Sequence, residues 1–254
     1  MKRRTAVLFG ATALVGGLAA AWPHWGPPLG QRIDWFAAQR VEVAGARLLP
    51  PHEVLQASGV RVGTNVWTDP SPFVAALRKH PAVASAEVVR VWPRSLRIRI
   101  VEKRPAALVQ HGVLSPATAE GEVLAVDAAR VGLDLPLFTA RVKVDARRRI
   151  SEEDARAALA ETARLAELEP ALMARVSEVR PLSKTETRFV LARPAADVLV
   201  RDGIGPAALV RLRAALDDVA ARAAADTTDV RVEIDARFDD QVVVRRKSQA
   251  VPVS

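Results

Sequence analysis

The alternation at 95–102 constrains this chain more than any other stretch. Leu96, Ile98 and Ile100 alternate with Arg97 and Arg99, so a strand here sends aliphatic side chains to one face and guanidinium groups to the other. Just upstream, Ala86, Val88 and Val91 carry a weaker form of the same period. Between them Trp92-Pro93-Arg94-Ser95 forms a break, because Pro93 has no N–H for a ladder and holds its own φ. Residues 83–108 are therefore predicted as two strands joined by a tight turn, ending in Glu102-Lys103-Arg104-Pro105. A hairpin alone does not bury its apolar face, so another layer is needed.

The preceding segment supplies one. Val41 and Val43 mark a short strand ended by Gly45. Pro50 and Pro51 open a two-turn helix stopped by Gly59, prolines being tolerated where the first amides have no helical partner. After a Gly63-Thr64-Asn65 turn, Asp69 is predicted to cap a second helix with Pro70 in its first position. Phe73, Val74 and Leu77 form its inward stripe, and His80-Pro81 ends it, since a residue before proline avoids the α region. Strand, helix, helix, strand, strand gives two helices on one face of a small sheet, an α+β layer predicted over 40–107.

A second domain is predicted over 108–244. It reads as α+β with a mainly antiparallel sheet. Residues 121–126 are expected as a strand and 135–138 as an apolar landmark. Ser151-Glu152-Glu153-Asp154 is a capping sequence for a helix with Ala155, Ala158, Leu159, Thr162 and Ala166 on one face and Leu165 at its edge. Pro170 ends or kinks it. Strands are expected at 176–179, 188–191 and 197–201, then a turn at Asp202-Gly203. A helix from Pro206 follows, with Leu209, Leu212, Leu216 and Val219 at helical spacing. Strands at 230–234 and 241–244 close the domain, and 245–254 reads as a tail.

The first residues carry a different signal. Lys2, Arg3 and Arg4 precede an uncharged stretch at 6–22, which as a helix would be roughly 25 Å long, at the short end of a bilayer span. Trp22 and Trp25 follow where interfacial aromatics sit, and the basic cluster fixes residues 1–5 on the cytoplasmic side. The same pattern fits a signal peptide cleaved near Ala19-Ala20-Ala21. Both readings put everything after about Pro27, within the 23–39 linker, outside the cytoplasm.

Chemistry is hard to find. The chain has no cysteine, which excludes disulfides, thiolate metal sites and cysteine nucleophiles. His24, His52, His80 and His111 have no partner at ligand spacing. No phosphate-binding loop, dinucleotide fingerprint or nucleophile elbow occurs. Asp239-Asp240 is the nearest acid pair, but neighbouring side chains in extended backbone point to opposite faces. The net charge of +8 is spread among apolar positions without interleaved aromatics, unlike a nucleic-acid surface. No enzyme, no cofactor, no metal, no small-molecule substrate and no nucleic-acid partner is expected. What remains is an interaction protein. A late strand such as 242–244 either pairs internally as core or leaves an edge to which a partner adds a strand.

The strand–helix–helix–strand–strand unit contains GVRVGTNVW, then ALRKHPAVASAEVVRVWPRSL, then RIRIVEKRPAAL. In that order and spacing these segments resemble the POTRA domain of the FtsQ/DivIB cell-division proteins, over roughly 40–109. The basic tip, single span and immediate POTRA unit resemble that family's layout, and the resemblance favours an uncleaved anchor. It implies a single-pass inner-membrane protein of the division septum, its bulk extracytoplasmic. It also implies a second domain of the FtsQ β type that receives FtsB, itself paired with FtsL, by strand addition, and so regulates septal peptidoglycan synthesis. The implied partner-binding residues are Arg237, Phe238, Asp239, Asp240, Gln241, Val242, Val243 and Val244. Phe238 stands where relatives often have tyrosine, and Arg245-Arg246 where some have an aromatic. The alternatives are a POTRA protein of outer-membrane assembly or secretion, and a secreted binding protein.

Overall fold

A computed structural model of the chain describes residues 33–225 and 231–246. The expected cytoplasmic tip, the 6–22 span and the distal part of the tail lie outside the described residues. Among the described residues, no helix is long and apolar enough to cross a membrane. The chain divides into two compact units, with the break between Glu102 and Lys103.

The first unit runs β1 (Arg40–Ala44), α1 (Pro51–Ser58), α2 (Ser71–Leu77), β2 (Val83–Val91) and β3 (Ser95–Glu102). Its sheet has the order β1-β3-β2. β3 is antiparallel to β2 and parallel to β1, with Val41 opposite Leu96 and Val43 opposite Ile98. The alternation at 95–102 behaves as its chemistry demands: Leu96, Ile98 and Ile100 are buried while Arg99 is exposed. Leu77 of α2 and Val54 of α1 are fully buried, whereas Phe73 and Val74 are only half-buried. Arg97 spans β3 to β1 in an ion pair with Glu42 at 2.8 Å. Gly45 has φ 85°, and a Cβ there would collide with the Ile100 carbonyl, so no other residue fits this close crossing.

Two local expectations shift. α2 begins one residue after Pro70, and the Asp69 carboxylate accepts the Ser71 N–H at 3.0 Å and its hydroxyl at 2.8 Å. The expected cap acts on the helix start from one position further out. The β1–α1 connection is held from afar: the Glu102 carboxylate accepts the N–H groups of Arg47, Leu48 and Leu49, each at 2.8 Å.

The second unit opens with β4 (Pro105–His111), so residues 105–107, expected in the first domain, belong to the second sheet. It continues through β5 (Val113–Thr118), α3 (Ala128–Val131), β6 (Leu137–Phe138), α4 (Glu153–Leu168), α5 (Pro170–Met173), β7 (Val176–Ser183), β8 (Glu186–Leu191), β9 (Ala196–Arg201), α6 (Pro206–Ala225), β10 (Val232–Ala236) and β11 (Val243–Arg246). The eight strands form one sheet, β11-β10-β9-β8-β7-β6-β4-β5. The sheet is mainly antiparallel, as expected, with four antiparallel pairings and three parallel ones. β9 and β10 run parallel because α6 carries the chain back across, and β6 pairs parallel with both β4 and β7.

The register puts Thr187, Phe189 and Leu191 of β8 beside Val200, Val198 and Ala196 of β9, and Val198 beside Ile234 of β10. These buried residues share one core with Leu159 and Leu165 of α4 and Leu209, Leu212 and Leu216 of α6. The two long helices therefore cover one face. Leu165 is fully buried and Ala166 is exposed, the reverse of their expected rank. At its C-terminal end α4 meets α5, whose Leu172 and Met173 join the same core. Pro170 starts α5 rather than kinking α4. The α4 N-cap is Glu152, whose side chain makes no capping bond and instead accepts the Lys143 N–H at 2.9 Å.

Residues 121–126 do not form a strand. Glu122 bridges to Arg149 and Val123 to Ala117. The segment is tied on both sides by short contacts, including the Leu124 N–H to the Pro116 carbonyl at 2.8 Å. It lies along β5, so that edge of the sheet is partly occupied.

Candidate functional site

The opposite edge is β11. It pairs antiparallel with β10, Val243 opposite Asp235, Val244 opposite Ile234, Arg245 opposite Glu233 and Arg246 opposite Val232. Among the described residues nothing pairs with its outer side. The strand lies two residues later than the sequence predicts. Gln241 and Val242 belong to the connection, and Arg245 and Arg246, expected in the tail, are strand residues. Likewise β10 runs to Ala236, beyond the expected 234. Adjacent arginines hide a period of two, because both positions read as polar. The signal that was available is the charge pairing: Glu233 and Arg245 are directly opposite across the ladder.

The face away from the helices is a lattice of ions. Arg237 leaves the end of β10 and turns back onto it. Its Nε and Nη2 donate to the two oxygens of Asp235 at 2.9 and 2.8 Å, and Nη1 donates to Glu186 on β8 at 3.1 Å. Asp235 is 1% exposed. Despite that burial, the hydrogen bonds from Arg237 hold its carboxyl below the usual carboxylate range, and Arg245 adds to the effect. The same contacts push the Arg237 guanidinium up from its ordinary value. One strand in, buried Asp197 on β9 pairs with Arg231 at 2.7 Å. Glu233 faces Arg188 of β8 at 4.0 Å. Bidentate pairs of this kind fix geometry as well as charge.

The eight expected partner-binding residues therefore fall into three groups. Arg237 has its guanidinium committed within the fold. Phe238 (39% exposed), Asp239, Asp240 and Gln241 lie on the connection, and the Asp239 carbonyl accepts from Arg211 on α6. Val242 packs against the core, Val243 is half-buried and Val244 is 45% exposed. The open edge is thus built from Val243 and Val244 with Arg245 and Arg246, next to an exposed aromatic. Among the described residues no group of carboxylates and histidines is arranged to hold a metal.

Comparison with known proteins agrees with the architecture of the first unit. Residues 36–103 match the POTRA domain of FtsQ type. The cell division protein FtsQ of Anaeromyxobacter sp. (strain K) is 36% identical over 143 residues, covering 54% of this chain and 49% of that protein. FtsQ of Streptomyces venezuelae is 31% identical over 128 residues, 50% of this chain and 41% of that protein. The cell division protein DivIB of Bacillus selenitireducens is 28% identical over 95 residues, 36% of this chain and 37% of that protein. The aligned region spans about half the length, or less, of these relatives. The first unit is thus a POTRA domain of FtsQ type, and over stretches longer than that unit the chain is similar to the cell division proteins FtsQ and DivIB.

Proposed function

We propose that this chain is a non-enzymatic scaffold of the bacterial division machinery, anchored by 6–22 as a single span with residues 1–5 cytoplasmic and both folded units outside. The β11 edge takes an added strand from a membrane partner of the FtsB type, held with FtsL, and the complex regulates septal peptidoglycan synthesis. The observation that carries the reading is the asymmetry of the eight-stranded sheet: the 121–124 segment lies along β5, while β11 is unpaired on its outer side among the described residues. An unpaired strand offers a row of amides and carbonyls as a template. Arg245 and Arg246 on that strand keep the edge from pairing with a second copy, since like charges directly opposite are destabilising. They suit an acidic incoming segment.

The test is a crosslinking scan in dividing cells. A photo-reactive residue replaces each position from 237 to 246 in turn. Crosslinks to a small single-span protein with a period of two along 243–246 support the reading. A silent scan, with the protein still at the septum, removes the edge as the docking site. Depletion is expected to give filamentous cells, and normal septation without a redundant copy would remove the division role.

A further inference from the structure

The first unit carries an aromatic cluster that is only partly covered by its own fold. Phe36 is the hub, with ring centroids 5.1 Å from Trp35, 5.9 Å from Trp67 and 6.0 Å from Trp92, and Trp67 lies 4.8 Å from Trp92. All are edge-to-face contacts, the favoured arrangement for aromatic pairs. Yet Trp35 is 55% and Trp92 52% exposed, and Ile33 and Val62, on segments that meet at the cluster, are 41% and 70% exposed. Three separate pieces of chain meet here. The 63–66 loop is bonded to 36–38 through the Ala38 N–H to the Thr64 carbonyl at 2.9 Å and the Val66 N–H to the Phe36 carbonyl at 3.0 Å. The β2–β3 turn joins through the Gln39 N–H to the Arg94 carbonyl at 2.8 Å.

The segments that carry the cluster hold more cations than anions. Arg94 lies 5.9 Å over the Trp35 ring. Arg90 donates to the Val66 and Thr68 carbonyls at 2.6 and 3.3 Å, and Arg40 and Arg61 are exposed nearby in sequence. Asp34 and Asp69 are the acids on the same segments. Exposed tryptophan with arginine is the composition of a membrane–water interface, where amphipathic rings sit at headgroup depth.

Chain geometry says which end this is. β1 and β3 are parallel and start together, Arg40 opposite Ser95. The β2–β3 turn, the cluster and the point where the chain enters the unit therefore share one end of the sheet. The stretch read as the span ends at Trp22, and the residues from there to Ile33 reach at most roughly 40 Å even fully extended.

We infer that the Trp35–Phe36–Trp67–Trp92 cluster is a lipid-contacting foot, which seats this end of the POTRA unit on the headgroup layer of an anionic phospholipid bilayer. The inference rests on the membrane-anchored reading above. The foot fixes the unit's orientation to the membrane.

The chain lacks cysteine, so single cysteines carry spin labels without background. Labels at Asp34→Cys and Val62→Cys probe the foot. A label at Val101→Cys, near the far end of β3 and 60% exposed, is the control. The full chain is reconstituted into phosphatidylcholine discs containing phosphatidylglycerol, and flotation with vesicles is scored first. The expected result is collision with oxygen favoured over a water-soluble nickel complex at 34 and 62, by several-fold relative to 101. That preference should be lost in the Trp35→Ser/Trp92→Ser chain, which still floats. Equal aqueous accessibility at all three positions, in a chain that floats, overturns the foot and leaves the anchor standing. Shielding of 34 and 62 from both reagents also overturns it, in favour of a protein contact. A chain that does not float overturns foot and anchor together.

Discussion

Glu102, the last residue of the POTRA unit's central strand, accepts the Leu49 N–H at 2.8 Å from a position 53 residues later in the chain. The same carboxylate takes the two preceding amides as well, so one side chain satisfies three consecutive N–H groups at the start of the helical layer. Hydrogen bonds to a charged acceptor are each worth about 1.5–3 kcal/mol, and a donor left without an acceptor adds its own cost. Because Arg47 is solvent-exposed, Glu102→Ala is expected to cost about 2–4 kcal/mol in total. Glu102→Gln, which keeps one good acceptor oxygen, should cost less. All five tryptophans precede Pro93, so intrinsic fluorescence during urea unfolding reads this unit with no contribution from the other.

His80 gives the same unit a pH dependence. Its Nδ1 accepts the Ala82 N–H at 3.2 Å, and burial pushes its pKa down against the opposing pull of Glu53 and Glu102. A base whose folded pKa lies below its unfolded value is neutral in both states at high pH, and its contribution is then complete. As pH falls through the ordinary histidine value of about 6.5 toward the lower folded value, the unfolded state binds the proton first and stability drops. The urea midpoint should fall between neutral pH and about pH 5, a range set by that reference value. His80→Asn, which retains an acceptor, should flatten the slope.

In the second unit the size of the acid response hangs on one arginine. Asp235 is held ionised by Arg237, so its contribution is present above the ordinary carboxylate range and lost as pH falls through the lower folded value. Arg237→Ala strands a buried carboxylate, a change worth about 3–5 kcal/mol when both partners are deeply buried. The arginine is partly exposed, so about 2–3 kcal/mol is expected here. Burial is then opposed only by the residue 237 backbone N–H and by Arg245, so the Asp235 pKa rises relative to the native chain, and acidification should destabilise the variant less than it does the native chain. Far-ultraviolet circular dichroism melts at neutral pH and near pH 4, close to the reference carboxylate value, distinguish the two responses.

A proline scan separates fold from docking along the open edge. In an antiparallel pair successive residues alternate between directing their N–H to the neighbour and away from it. Proline at alternate positions of 243–246 should lower the melting temperature by removing a bond to β10. At the intervening positions it should leave the melt nearly unchanged and abolish partner capture. Loss of capture without any alternation along the strand argues against strand addition.

How much of this was legible beforehand follows from how each residue signals. The Leu96–Ile100 alternation is unambiguous because opposite side-chain chemistries occupy opposite faces, and it correctly anchored the whole POTRA unit. α6 was legible for the same reason through Leu209, Leu212, Leu216 and Val219. Val123 and Leu124 misled, because fully buried aliphatic residues look like strand whether they pair in a ladder or only touch two neighbours. Leu165 and Ala166 were ranked by an ideal helical wheel, and α5 changed which side of the last turn is covered. Arg245 and Arg246 concealed the second half of the final strand, and with it half of the candidate edge. The Glu102 carboxylate and the Trp35 cluster depend on contacts between segments more than fifty positions apart, which no local pattern encodes.

The parallel pairing of β1 with β3 has a mechanical consequence. The chain enters the POTRA unit at the start of β1 and leaves it at the end of β3, and the two strands point the same way. Tension drawn between those points slides β1 and β3 past one another lengthwise, so their cross-strand bonds must yield together instead of opening one at a time like a zip. β3 is also flanked on its other side by β2, so extracting it shears two ladders at once. A unit wired in this way can transmit a pull along the chain while keeping its shape.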